Sequence, residues 1–369
     1  MTRKLLVALV CIVPGLASAQ IVISANATIS TGNNPDVVIV TSSNITNNSN
    51  FDFSSSQLHL ALEGSNQTLS GSLVPLRLRV DGGGIKTING NITVTSALTL
   101  QNGILKPSPT GKLLYTGPQQ GLTGGSESSY VEGPFFLTGS GPVTFPIGAQ
   151  GVGYAPASIA DAPGQLIGIE VINSTPALVP AISEVELSAI DNTHYWSVSA
   201  DDLSSFNSVI NLSLNSTPLL GADLSPVVVE ADAPGGEAFN LGSLSASENS
   251  VTSLTPFTRK ILAIGGSTTI DIKIHDLISP FTPDNMNDEL YIENIGKFPT
   301  NTVTLLDRWG VPVKEWKNFT NYSDPVNPNA EVFNFTGLSP GNYICVVEYS
   351  SPTQGTRKKS QMVTVLKIK

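Results

Sequence analysis

The side chains able to do chemistry are few, and their spacing argues against a catalytic centre. The three histidines, His59, His194 and His275, are far apart and lack metal-ligand spacing. Two carboxylate pairs, Asp201-Asp202 and Glu184/Glu186, have the residue type for glycosidic acid–base work. Adjacent or alternate carboxylates on a turn or strand are ordinarily solvated, and both pairs are expected to be so. The sequence holds no phosphate-cradling loop, and its one Gly-x-Ser-x-Gly match, Gly337-Leu338-Ser339-Pro340-Gly341, lies in a turn that feeds a strand and so is no strand-to-helix nucleophile elbow. The one run of hard oxygen donors is Asp284-Asn285-Met286-Asn287-Asp288-Glu289, with Asp284, Asn285, Asn287, Asp288 and Glu289 as calcium candidates. It lacks the spacing and glycine of an EF-hand, and Asx-turn capping of a strand accounts for it without a metal. Tyr154, Tyr195 and Trp196 form a candidate stacking platform for a sugar ring, with core packing as the competing role. The expectation is no catalysis, no cofactor and no metal.

Whatever these residues do, β-structure must position them. The chain holds 33 Gly and 25 Pro with only 13% charged residues, and little of it has helical period. From residue 20 to 137, short apolar runs recur between amide, hydroxyl and glycine turns. Examples are Val37–Val40, Leu58–Leu62, Leu76–Val80, Ile92–Val94 and Leu98–Leu100. Such runs suit the rungs of a short, irregular β-solenoid, in which each coil completes its core only against its neighbours. A sandwich is the alternative. Residues 138–275 carry alternating runs near Ile167–Ile172, Thr193–Val198, Ser208–Leu214, Pro226–Ala231 and Lys260–Ile264, which predict a β-sandwich.

Charge narrows the partners. The net charge is −10, and from Leu113 to Thr258 there is no Lys or Arg against fourteen carboxylates. A nucleic acid needs the opposite field and is excluded; polyanionic sugars are disfavoured for the same reason. Residues 1–19 combine Arg3 and Lys4, an apolar run from Leu5 to Val13, and Ala17-Ser18-Ala19. They read as a secretory signal peptide, too short for a membrane span. With Cys11 inside that leader, Cys345 is the only cysteine left. It cannot form an internal disulfide, and a buried strand position is expected for it.

The last stretch, 276–369, is near neutral, with ten acids and nine bases. It opens on Phe281-Thr282-Pro283 and Asn287-Asp288, passes through Asp307-Arg308-Trp309-Gly310 and Leu338-Ser339-Pro340-Gly341-Asn342-Tyr343, and ends in a strand, Met362 to Ile368, flanked by Lys367 and Lys369. In that order the pieces resemble the gliding-motility-associated C-terminal domain of Bacteroidetes, the type B sorting domain of the type IX secretion system. Two departures stand out: Asp284-Asn285-Met286 replaces a longer Asn-Gly-Asp-Gly-like loop, and Phe333-Asn334-Phe335 replaces Trp-Asp-Gly. The resemblance implies an Ig-like sandwich and passage through Sec, then through the type IX machinery and its outer-membrane partner. Trp309 is expected in that domain's core and Lys367 and Lys369 on its recognition surface. The succession Tyr130 to Pro134, Phe145 to Gly148 and Tyr154-Ala155-Pro156 also resembles a module that precedes such domains. Together these readings predict an all-β, secreted or surface-displayed, non-catalytic and adhesin-like protein. A carbohydrate-binding accessory protein is the alternative, and a polysaccharide-acting enzyme comes third.

Overall fold

The described strands from Gln20–Ile23 to Val131–Glu132 stack as a parallel β-solenoid with three faces. The computed structural model describes residues 20–23, 36–48, 57–181, 184, 186–203, 206–214, 224–268, 270–279, 289–321, 338–351 and 355–366. The expected leader at 1–19, Phe281 to Asp288, and Lys367 and Lys369 lie outside them.

A full coil contributes one short strand to each face, and the coil before Arg77 reaches the third face through the single bridge from Leu73 to Ile92. One coil runs through Arg77–Val80, Ile85–Asn89 and Asn91–Val94, the next through Ala97–Leu100, Ile104–Pro107 and Lys112–Tyr115. Equivalent strands pair in parallel, so identical or similar apolar residues stack: Leu78 on Leu98 on Leu122, and Ile92 on Leu113 on Phe135. Within a strand every second side chain is buried, as in the buried Leu98 and Leu100 of Ala97–Leu100. Of the two expectations for this region, the solenoid is the one the chain adopts.

Polar side chains close the coil corners. Lys86 is fully buried, and its ammonium donates to the carbonyls of Gly64 and Gly83 in successive turns. Gly84, at φ +63°, sits where a Cβ would fall 1.5 Å from the carbonyl oxygen of Ser65. Only glycine fits there, which lets one corner nest on the one below.

The strand Phe135–Phe145 joins the solenoid to the sandwich module. On one edge it pairs in parallel with Lys112–Tyr115; on the other it pairs antiparallel with the long strand Ala157–Ile172. The boundary expected at 137/138 therefore falls inside a strand, and one hydrophobic core runs from Ile45 to Ile264 without a break. The strand Ala157–Ile172 serves two neighbours. Its first part pairs with Ile210–Ser213 and its second with Tyr195–Ala200. Beyond it, Ile261–Ser267 and Ser225–Ala231 are buried on both faces, Val228 in the main core and Val227 and Val229 in a second one.

One loop in this module is tied by a carboxylate that the sequence does not advertise. Glu230, almost fully buried, accepts from the backbone N–H groups of Thr258 and Arg259 at 2.7 and 3.0 Å and from Arg259 Nη1 at 2.7 Å. The guanidinium also stacks 3.9 Å above the Phe239 ring.

A separate core gathers residues 272–365. A five-stranded sheet built on Asn301–Leu306, Gly341–Ser351 and Gly355–Val365 packs apolar side chains against those of the two-stranded Lys273–Ile274 and Ile292–Glu293 pair. Of the last strand expected from Met362 to Ile368, Met362 to Val365 form the far part of Gly355–Val365, and residues 367–369 lie outside the described residues. Cys345 is buried in Gly341–Ser351, and burial pushes its thiol pKa up to about 12, leaving an inert thiol.

Candidate functional site

The C-terminal sheet carries the motif residues, and its register decides which of them face solvent. Along Asn301–Leu306 the residues Asn301, Val303 and Leu305 point inward. The chain then reverses at Asp307-Arg308-Trp309-Gly310. Asp307 Oδ1 accepts from the N–H groups of Trp309 and Val311, both at 2.9 Å, and Gly310 takes φ +80°. Trp309 therefore rides on the turn and is 77% exposed, with the Arg308 guanidinium 5.0 Å from its ring. The core position expected for Trp309 is corrected. The buried indole belongs to Trp316, opposite Val303 on the returning strand and edge-on to Phe319 at 5.7 Å.

Exposed apolar side chains lie in and near the turn: Val311 and Val313 follow Trp309 in sequence, and the register aligns the half-buried Leu306 with the exposed Ile344 and Met362 across three strands. Pro312–Lys317 ends the sheet among the described residues. At the late turn, Pro340 precedes Gly341, whose φ is +154°, and the Tyr343 hydroxyl donates to Ser339 O at 2.7 Å. Of the expected motif residues, the sheet brings Arg308, Trp309, Gly310, Pro340, Gly341 and Tyr343 into view, whereas Phe281, Thr282, Pro283, Asn287, Asp288, Lys367 and Lys369 lie outside the described residues.

The aromatic platform does not assemble. Tyr195 and Trp196 are neighbours on one strand, so they project to opposite faces. Trp196 is fully buried in the main core, donates its indole N–H to Ala155 O at 3.0 Å, and meets the His194 ring at 4.9 Å. Tyr195 packs on the second core. Tyr154, half-buried, lines an open cleft of about 560 Å³ with Glu127, Asn211, Ser213, Asn249 and Ser250. Sequence reasoning found Tyr154 but none of its polar companions, which come from a coil turn, a strand and a hairpin turn distant in sequence and leave no local pattern.

The carboxylate pairs do other work. Asp201 and Asp202 are exposed on a turn, where Asp202 O accepts from Gln165 Nε2 at 3.0 Å. Burial raises the Glu184 carboxyl above the ordinary range. Glu186 is fully buried at the junction between the two units: Ser351 Oγ donates to it at 2.9 Å and the Ile270 N–H at 3.3 Å. Neither pair lines the cleft. Among the described residues no group of three or more His, Cys, Asp or Glu side chains is placed to hold a metal ion. Of the calcium candidates, Asp284, Asn285, Asn287 and Asp288 lie outside the described residues, and Glu289 is half-buried.

His194 gives a pH prediction. Burial holds its pKa below the ordinary histidine value, against the pull of Asp191 at 3.4 Å from Nδ1. A lowered folded-state pKa means that the unfolded chain binds the proton first. Stability is therefore full above about pH 6.5 and falls as pH drops below it, by at most about 1.4 kcal/mol per unit for one proton. Thermal unfolding of wild type and His194→Gln between about pH 7.5 and 5 is the check, with a flatter profile expected in the variant. Parallel profiles would assign the acid sensitivity elsewhere.

Comparison with known proteins bears on the C-terminal unit. Residues 272–365 match the family model of the CHU_C type IX secretion signal domain. The matched segment begins four residues before the start expected at 276 and coincides with the separate core. No curated protein and no solved structure matches the chain. Among the described residues no helix is long and apolar enough to cross a membrane.

Proposed function

For a chain whose residues 272–365 form a type IX secretion signal domain, we propose a role as a non-catalytic, adhesin-like β scaffold. The signal domain implies contact with the type IX secretion machinery and a destination outside the cell or on its surface. In the proposed route the leader at 1–19 takes the chain through Sec, and the C-terminal unit takes it across the outer membrane of a Bacteroidetes host.

The observation that supports a scaffold is the fate of the carboxylates. Of the pairs with the right chemistry for sugar hydrolysis, Asp201 and Asp202 sit on a solvated turn and Glu186 is used at the junction between units, and neither pair lines the cleft. The solenoid and the sandwich share a sheet and a core, which suits rigid display.

The test is a single incubation of the purified chain with polysaccharides and cell-surface fractions, read for retention and for release of reducing ends. Retention without turnover is the expected result. Turnover that disappears in Glu184→Gln or Asp202→Asn would replace the scaffold with an enzyme.

A further inference from the structure

The cleft beside Tyr154 lies where the last solenoid coil meets the sandwich. Glu127 comes from the coil turn closed by the Ser126–Ser129 bridge, and Tyr154 from the short strand Gly153–Tyr154. Asn211 and Ser213 come from Ile210–Ser213, and Asn249 and Ser250 from the turn that leads into Ser250–Thr252. We infer that this cleft binds a neutral saccharide of one or two hexose rings.

Its construction is specific. A Cβ at Gly125, where φ is +98°, would lie 2.6 Å from the Tyr154 hydroxyl, and one at Gly153, where φ is +92°, would lie 2.5 Å from Glu127 Oε2. Both glycines thus permit the aromatic ring and the carboxylate to lie against the backbone. Glu127 Oε2 accepts the Tyr154 N–H at 3.0 Å, which ties the coil turn to the strand. Asn211 Nδ2 donates to Thr252 Oγ1 at 2.8 Å, which fixes the orientation of that amide. In the neighbouring turn, Ser247 Oγ accepts from the N–H groups of Asn249 and Ser250 at 3.2 and 3.1 Å. The Glu127 carboxylate and the Asn211 amide are held in place before any ligand arrives, which lowers the ordering cost of binding.

The chemistry of the lining selects the ligand class. An aromatic ring offers a face for the C–H side of a pyranose, and amides, hydroxyls and a carboxylate offer paired acceptors and donors for adjacent ring hydroxyls. Val152, Pro156 and Leu214 add apolar surface to the lining, no Lys or Arg among the described residues lines the cleft, and the charge on it is the Glu127 carboxylate. Phosphorylated, sulfated and uronic sugars would meet an uncompensated negative field there. A volume of about 560 Å³ fits a ligand of this size.

This inference rests on the scaffold reading and deepens it by giving the displayed surface a ligand class. The test is saturation-transfer NMR on the purified full chain with maltose, cellobiose and lactose, and with glucuronic acid and glucose 6-phosphate as charged comparators. Transfer to the ring protons of at least one neutral disaccharide is expected, and none to the charged sugars. Tyr154→Ala and Asn249→Ala are expected to weaken that binding about tenfold or more, and Tyr154→Phe to retain it. Asn249 is exposed on a turn, so its variant keeps the test valid if Tyr154→Ala misfolds. No transfer from any of the three disaccharides at about 10 mM, equal response to charged sugars, or binding unchanged in both alanine variants would overturn the inference. Loss of sugar binding with surface retention intact sinks the cleft alone; sugar turnover sinks the scaffold reading.

Discussion

A chain ending at residue 271 is expected to fold and to accumulate inside the outer membrane, while the full chain reaches the surface or the medium. The prediction stands on two observations. Residues 272–365 match a secretion signal domain, and the same residues possess their own hydrophobic core. The core from Ile45 to Ile264 takes no side chain from them, so the shortened body keeps its apolar packing. What it loses at the junction is the Ser351 hydroxyl on the Glu186 carboxylate, at 2.9 Å, together with the bonds that Tyr349 and Lys359 make to Asp271 and Arg357 makes to Ile270 O. The buried bond to Glu186 is the costliest of these, worth about 1.5–3 kcal/mol, whereas those at the chain end on the half-exposed Asp271 are worth less, so the body is expected to stay folded. Fractionation of a gliding or related Bacteroidetes host expressing both forms is the measurement. Efficient appearance of the truncated form outside the cell would remove the basis for assigning export to the C-terminal unit. A periplasmic band lost to proteolysis would instead show that the body depends on the junction, and a body carrying Glu186→Gln would reproduce that loss in the full chain.

The sequence carried the class of each region but not the seams between them. Recurring short strands with amide-rich corners gave the solenoid its signature, because every coil repeats the demand for buried alternate residues. The register steps by 20 residues from Leu78 to Leu98 and by 24 from Leu98 to Leu122, and that variation hides the repeat from simple inspection. The seam at Phe135–Phe145 was illegible for a different reason. A strand that is parallel to one neighbour and antiparallel to the other has the same alternation on both sides, so nothing local marks the change of architecture. The cleft was illegible in the same way: Glu127, Tyr154, Asn211 and Asn249 lie on four elements, and each alone is an ordinary turn or strand-end residue. Tyr195 and Trp196 show the opposite error, since adjacency in sequence suggested a platform that strand geometry forbids.

The two tryptophans of the C-terminal hairpin make the sharpest case. Large aromatic side chains are expected inside, and Trp309 follows an alternating strand, so the core was its natural place. The Asp307 turn takes it out of the strand, and the indole of the returning strand, Trp316, fills the position opposite Val303. The consequences of substitution are therefore expected to separate. Trp316→Ala removes a buried ring that packs on Phe319, at a cost of about 3–5 kcal/mol, enough to unfold the C-terminal unit and abolish export. Trp309→Ala takes away a ring that is 77% exposed and is expected to change stability by no more than about 0.5 kcal/mol. An exposed indole beside Arg308, with Val311 and Val313 next to it, has the composition of a contact hot spot for the secretion machinery. Export of Trp309→Ala is accordingly expected to fall severalfold with unfolding unchanged. Thermal unfolding of the full chain and cell fractionation, run on both variants, read the two effects separately. If Trp309→Ala unfolds as readily as Trp316→Ala, the turn does not hold its ring in solvent. If it unfolds normally and is exported normally, the machinery grips another face, and the row of Leu306, Ile344 and Met362 is the next surface to change.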